Sequence, residues 1–335
     1  MRFTYRTYTR LLLILSVLLT GTTATADSSV QKISRTEKMM DTFFTISVYS
    51  DKRETAETAI GEAFNGIKKI ESKLSIYNED SEIARLIKKK MIESPSRDLE
   101  ANISRALYYS NLSNGAFDIT VQPILELYNR TFLEKGSAPS VEEINRELKK
   151  VDYKRIILED EKIKIGEDQV ITLGAIAKGY AVEEAVETLR QHNITMALVD
   201  ASGNMRALGK KPEGAWNIAM EDPRDMNNYI AIIPLDNNAV STSGDYERYF
   251  DEKKEYHHII NPKTGYSATE LISVTIVTDN AFDADALSTA VFVLGKEKGM
   301  ALIEALPGVE GLIITREREI LRSSGFKEIN KKTNN

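Results

Sequence analysis

Three histidines, His192, His257 and His258, are the side chains of this 335-residue chain whose ordinary pKa lies closest to neutrality. There is no cysteine. Thiolate nucleophiles, disulfides, cysteine-ligated zinc and iron–sulfur clusters are therefore excluded. His192 ends a polar helical stretch and reads as a surface residue or a partner of the helix C-terminus. His257 and His258 directly precede Ile-Ile-Asn-Pro-Lys-Thr-Gly, and neighbours on a strand face opposite sides, so at most one of them enters a given cleft. That one would be the obvious general base, although a lone strand histidine is also an ordinary structural residue.

Two further stretches could carry chemistry. In Asp283-Ala-Asp-Ala-Leu-Ser-Thr-Ala, Asp285 and Thr289 are four apart, so a helix projects both from one face as hard oxygen ligands suited to Mg²⁺. The plainer reading makes Asp283 or Asp285 an N-cap and Thr289 a packed or surface residue. Leu173-Gly-Ala-Ile-Ala-Lys-Gly-Tyr-Ala sets Gly174 and Gly179 around a helix start with Lys178 between them, where backbone amides can receive phosphate. It lacks the Lys-Ser/Thr ending of a Walker A loop, and a tightly packed strand-to-helix turn explains it as well.

The elements that must position these groups follow from hydrophobic period. A strand is expected at Phe43–Ser50 and an amphipathic helix at Glu54–Leu74. Further helices are expected around Ile83–Lys90, Leu99–Asn111 and Val141–Lys150, and a hairpin at Ile156–Asp160 and Lys162–Gly166. A strand Gln169–Leu173, a helix from Lys178 and a strand from Met196 resemble a βαβ unit. Strands at Trp216–Met220, Tyr229–Leu235, Ile272–Thr278 and Gly311–Thr315 and helices at Ala284–Leu294 and Lys296–Leu306 complete an α+β chain. With no repeat or Pro/Ser-rich linker, a single domain over residues 27–335 is expected.

Residues 1–26 read differently. Arg2, Arg6 and Arg10 precede an apolar run, Leu11–Leu19, and Ala24-Thr25-Ala26 offers a small-x-small cleavage site. The run is about half the ~20 residues of a membrane span. A cleaved secretory signal is expected, and a soluble mature chain in a periplasm or other extracytoplasmic space, with an uncleaved anchor helix as the alternative. Without cysteine the chain has no lipid-anchor site. Loss of the three arginines takes the formal charge from −6 to −9. Such acidity argues against a nucleic-acid partner and requires that any anionic ligand be held by amides, a cation or a metal.

Taken together and in order, Met40, Gly115-Ala-Phe-Asp-Ile-Thr, Lys178-Gly-Tyr-Ala, Thr242-Ser-Gly-Asp-Tyr-Glu-Arg, His258-Ile-Ile-Asn-Pro and Ala284-Asp-Ala-Leu-Ser-Thr-Ala resemble the ApbE family, the FAD:protein FMN transferases. The resemblance runs from about Met40 to Gly311. It implies a T-fold-like domain with mixed or antiparallel sheets and flanking helices. It also implies Mg²⁺-dependent cleavage of FAD, with FMN joined as a phosphoester to a Thr or Ser of an exported acceptor protein and AMP released. By the same resemblance Met40, Tyr77, Ala116, Phe117, Asp118, Thr172, Lys178 and Ile260 contact the cofactor. Ala175 through its carbonyl, Asp285 and Thr289 bind Mg²⁺, and His258 is the catalytic histidine. Asp41 and Ala175 stand where the family has Gly, Thr172 where an Asp often contacts the cofactor, and Asn261 where Asp is common. Two other functions fit the same residues: a Mg²⁺-dependent FAD pyrophosphatase and a non-catalytic exported FAD-binding protein.

Overall fold

In the computed structural model, which describes residues 30–329 apart from 160 and 253, the chain opens with a hairpin. Strand β1 (Gln31–Met39) pairs with β2 (Thr42–Ser50) around a two-residue turn, with Met39 opposite Thr42. Both turn residues are left-handed, Met40 at φ 49° and Asp41 at φ 59°, as a type I′ hairpin requires. Aspartate is among the non-glycine residues that tolerate this region, which explains how Asp41 serves where a glycine would be usual. Met40 is held by its N–H, which donates to Glu71 Oε1 at 2.8 Å. Residues 1–26, the expected signal, lie outside the described residues.

Helix α1 (Arg53–Leu74) buries Ala56, Ala59, Ile60, Ala63, Phe64, Ile67, Ile70 and Leu74, a stripe of period three to four. After it come α2 (Glu82–Lys89), capped by Ser81, β3 (Met91–Glu93) and α3 (Arg97–Leu112), capped by Ser96. Next are α4 (Gln122–Lys135) and α5 (Val141–Leu148), the latter opened by a Ser140/Glu143 capping box. The hairpin β4 (Ile157–Glu159) and β5 (Lys162–Lys164) adds to β3 as a small sheet. Then come α6 (Ala177–Gln191), β6 (Ala197–Asp200), β7 (Asn204–Leu208), β8 (Trp216–Asp222), β9 (Asp225–Leu235) and β10 (Ala239–Gly244). The chain ends with β11 (Leu271–Thr278), α7 (Ala281–Leu294), α8 (Lys296–Ala305), β12 (Glu310–Thr315) and β13 (Ile320–Arg322).

Eight strands form one sheet in the order β1-β2-β6-β7-β10-β11-β12-β13, and β8 and β9 form a separate two-stranded ribbon. Every ladder is antiparallel. The central strands are buried on both sides. Val274, Ile276 and Ile313 pack with α1, α6 and α7, whereas Val240, Ile272, Leu312 and Ile314 face Trp216, Met220, Ile233 and Leu235 of the ribbon. A third cluster joins Ile124, Leu127 and Tyr128 of α4 to Ile144 of α5 and Ile260.

The α+β class and the helix positions agree with the sequence reading, but the βαβ unit does not exist. Gln169–Leu173 is extended yet joins no sheet; the Thr172 N–H donates to the Ile119 carbonyl at 2.8 Å and the Gln169 side chain to the Asp152 carbonyl at 2.7 Å. Ile171 and Leu173 are buried in the main core, a burial that periodicity alone cannot separate from a strand. Strands β1, β3, β7, β10 and β13 and helix α4 were not expected.

Candidate functional site

The first turns of α6 and α7 meet at Gly179. A Cβ placed there would lie 2.3 Å from the Ala281 carbonyl oxygen and 2.7 Å from Asp285 Cβ, so only glycine permits this approach. Gly179 lies in the first turn of α6, where N–H groups have no intrahelical acceptor. Its N–H donates instead to Asp285 Oδ2 at 2.9 Å. Asp285 is 5% exposed. Burial pushes its carboxyl above the usual range, and the Lys178 charge works against that shift.

Asn204, at the start of β7, ties these groups together. With its amide oriented so that both ends find complementary partners, its oxygen accepts from Lys178 Nζ at 2.8 Å, and its nitrogen donates to Asp285 Oδ1 at 3.1 Å and to Ser241 Oγ. Hydroxyls continue the network along β10 and α7: Ser243 Oγ lies 2.8 Å from Ser288 Oγ and 3.2 Å from Thr289 Oγ1. Asp200 and Glu247 also feel Lys178; desolvation raises both carboxyls and the ammonium opposes it. Lys178 thus acts on three carboxylates bordered by small hydroxyls, with Arg248 acting on Glu247 as well.

The two histidines take different roles. His257 is 2% exposed, with Nε2 donating to the Ala268 carbonyl at 2.8 Å and Nδ1 accepting from the Ile259 N–H at 3.3 Å. Its ring packs edge-on against Phe292, so it is a satisfied core residue. His258 is half-buried, and its Nδ1 sits 2.9 Å from the Arg248 carbonyl, which also accepts from the His258 N–H at 3.1 Å. A carbonyl only accepts, so Nδ1 carries the proton and the Nε2 lone pair is left for another donor. Removal from water, reinforced by the Arg248 and Lys178 charges, pushes the His258 pKa down to about 3. The imidazole is therefore neutral throughout the physiological range, with Nε2 unprotonated. His192 lies elsewhere, bonded to Glu62 of α1.

The other residues expected at the site take the following places. Ser202 of the β6–β7 turn donates to the Phe43 carbonyl at 3.2 Å, which brings the Met40–Asp41 turn to the same end of the sheet. Tyr77 follows α1 and is 62% exposed, beside a cavity of about 230 Å³ lined by Ile76, Lys88, Glu126 and Val170. Ala116 and Phe117 are buried. Both carboxylate oxygens of Asp118 are engaged within the chain, Oδ1 by the Thr120 N–H and hydroxyl and Oδ2 by the Tyr153 N–H. Thr172 Oγ1 accepts from the Gly174 N–H at 3.2 Å. Ile260 is buried in the α4–α5 cluster. Asn204, Ser241 and Ser243 were not among the expected site residues. Asn204 ends a Ser202-Gly203-Asn204 turn, which by itself signals only a chain reversal, and hydroxyls on β10 carry no hydrophobic period.

The donors at the α6–α7 junction fit a small hard cation. Asp285, Thr289 one turn later and the Ala175 carbonyl just before the N-cap of α6 all offer oxygen ligands. Among the described residues no group of three or more histidines, aspartates or glutamates could hold a metal. A cation here would thus complete its shell with water or ligand oxygens, as Mg²⁺ does.

Comparison with known proteins adds the following. Residues 40–313 match the ApbE family. The chain is 34% identical over 323 residues to the FAD:protein FMN transferase of Treponema pallidum, covering 89% of this chain and 88% of that protein. Against that of Haemophilus influenzae it is 30% identical over 334 residues, covering 94% and 96%. Among solved structures, the ApbE protein of Thermotoga maritima aligns with a TM-score of 0.80 at 34% identity, over 88% of this chain and 97% of that one. The flavin transferase ApbE from Vibrio cholerae aligns with a TM-score of 0.79 at 26% identity, over 89% and 98%.

Proposed function

The chain belongs to the ApbE family, and from that membership we propose that it is a flavin transferase that moves FMN from FAD to a Thr or Ser hydroxyl of an exported acceptor protein. The observation that carries this reading is the His258 ring, pinned through Nδ1 with Nε2 available, close enough to Lys178 to feel its charge. In the proposed reaction the acceptor hydroxyl oxygen attacks the FMN phosphorus. His258 Nε2 takes the hydroxyl proton, the pyrophosphate P–O bond breaks, and its electron pair leaves with AMP. The products are a phosphoester-linked FMN on the acceptor, and AMP.

Ala175, Asp285 and Thr289 would hold Mg²⁺, which when bound neutralises charge on the pyrophosphate. Lys178 orients and offsets phosphate charge from the other side of Asp285, and Asn204 keeps the ammonium and the carboxylate in register. Met40, Tyr77, Ala116 to Asp118, Thr172 and Ile260 shape the walls, with Asp118 and Ile260 acting from behind. Export is part of the same proposal. It is supported by the tripartite pattern of residues 1–26. Among the described residues no helix is long and apolar enough to cross a membrane.

Incubation with FAD and Mg²⁺, with and without an exported acceptor carrying a suitable Thr, tests the reading. Covalently fluorescent acceptor plus AMP is expected. Free FMN plus AMP in both arms would instead mark a pyrophosphatase, and unchanged FAD a binding protein. His258→Ala should bind FAD but flavinylate the acceptor about 10²–10⁴-fold more slowly, leaving a measurable residual rate; flavinylation near the wild-type rate by that variant removes His258 from the mechanism.

A further inference from the structure

Asp245, the residue after β10, is 5% exposed, and both its carboxylate oxygens accept from Arg224, Nη1 at 2.9 Å and Nη2 at 2.5 Å. Arg224 belongs to a different part of the molecule, the turn between β8 and β9, where Asp222 and Asp225 face each other. That turn is itself fastened. The Arg224 N–H donates to Asp222 Oδ1 at 2.9 Å, and Asp222 accepts two bonds, at 2.7 and 2.6 Å, from Arg318 in the β12–β13 turn. A bidentate guanidinium–carboxylate pair fixes orientation as well as distance. Arg224 thus reaches from an anchored hairpin tip to a buried carboxylate with one defined geometry.

Beyond Asp245 only Tyr246 and Glu247 intervene before Arg248, whose carbonyl holds both the backbone N–H and Nδ1 of His258. We infer that Arg224 is a positioning residue for His258, acting through Asp245 and the Arg248 carbonyl rather than by touching substrate. The inference rests on the reading of His258 as the base. It assigns the β8–β9 ribbon, which lies on the opposite side of the main sheet from α6 and α7, a part in transfer. The carbonyl selects the Nδ1–H tautomer only while it stays within hydrogen-bonding range, and the Arg224–Asp245 pair sets the direction in which the chain leaves β10. The Asp245 N–H also donates to the Ile272 carbonyl at 3.2 Å and the Phe250 N–H to the Tyr256 carbonyl at 2.7 Å, so the loop keeps these anchors when the guanidinium is removed.

The test combines Arg224→Gln with His258→Ala in the full-length protein, following transfer from FAD to the acceptor. Arg224→Gln should lower kcat by at least about tenfold, the scale of effect that a small misplacement produces, with KM for FAD unchanged. In the His258→Ala background the same change should cost nothing further, because the two residues act as one unit. Arg224→Lys, which keeps the charge but not the fork, should recover part of the loss. Nitrogen NMR of the His258 ring gives a readout separate from activity: the wild type should show one tautomer, protonated at Nδ1, and Arg224→Gln a mixture. Equal losses in both backgrounds, or a wild-type kcat for Arg224→Gln, overturn the inference. If His258→Ala itself transfers at the wild-type rate, the base reading fails and the inference with it. If Arg224→Gln does not fold, because it strands Asp245 buried and unpaired, the Arg224→Gln/Asp245→Asn pair restores a neutral contact and enters the same comparison.

Discussion

His258 shows how much one contact can decide. Strand alternation allows at most one of two adjacent histidines into a given cleft without saying which, and only the family resemblance singles out His258. The Arg248 and Ala268 carbonyls separate them: one leaves Nε2 available, whereas the other belongs to a ring whose two nitrogens are both engaged. A consequence for pH follows. The unfolded imidazole protonates near about 6.5, and the folded one near about 3. As pH falls the unfolded chain takes the proton first, so the stability that neutral His258 contributes is complete above about 6.5 and is lost progressively toward 3. Wild type should therefore lose more Tm than His258→Gln between pH 7 and pH 5. His257 shifts in the same direction but is present in both proteins, so the difference isolates His258. Equal losses would place the folded pKa of His258 at its ordinary value. Asp285 and Lys178 were legible as chemistry-bearing residues, whereas Asn204, which joins them, was not: its role depends on β7 arriving beside α6 and α7, a long-range fact.

Elements became legible in proportion to how much apolar surface they bury on one side. Helix α1 repeats its buried residues every three to four positions and is read almost to the residue. Strand β10 buries Ser241 between Asn204 and Ser288, so polar contacts rather than an apolar face specify it. Helix α4 did carry a signal, with Pro123 in its first turn and Ile124, Leu127, Tyr128 and Thr131 buried along one stripe. The junction of α6 with α7 also yields a prediction. Gly179→Ala sets a methyl group against backbone at the Ala281 carbonyl and against Asp285 Cβ, neither of which is the far end of a flexible side chain. Overpacking of this kind costs about 1–3 kcal/mol. The helices must part to accept it, carrying Asp285 away from Ala175. Denaturant titration should show the lost stability, and FAD binding in Mg²⁺ should weaken in the same protein. Gly174→Ala is the control, since its added carbon meets only Thr172 Oγ1 at 3.5 Å, an ordinary contact. If both variants behave alike, the close approach of α6 to α7 is not what shapes the site.

At the scale of the molecule, the main sheet is shared between two cores rather than dividing them. Within β12, Leu312 and Ile314 face the β8–β9 ribbon while Ile313 faces the helices, and in β11 a register shift at Ile272 turns that residue to the ribbon while Val274 faces the helices. Neither layer can lose its packing without exposing strands that the other layer also buries. The pairs Arg224–Asp245 and Arg318–Asp222 add a second bond between ribbon and sheet. The chain should therefore unfold as one unit, and the sequence supplies the probe. Trp216, the single tryptophan, is buried in the ribbon-side core, where Nε1 donates to the Gly209 carbonyl at 3.1 Å and the ring meets Tyr49 edge-on. Its fluorescence reports that core, whereas far-UV circular dichroism is dominated by helices on the other face of the sheet. The two denaturation curves should share one midpoint and one slope, the signature of a two-state transition. A fluorescence midpoint at lower denaturant would show that the ribbon detaches first. In that case the Arg224–Asp245 contact would break before the helical core opens, and transfer activity should disappear with the fluorescence change rather than with the circular dichroism.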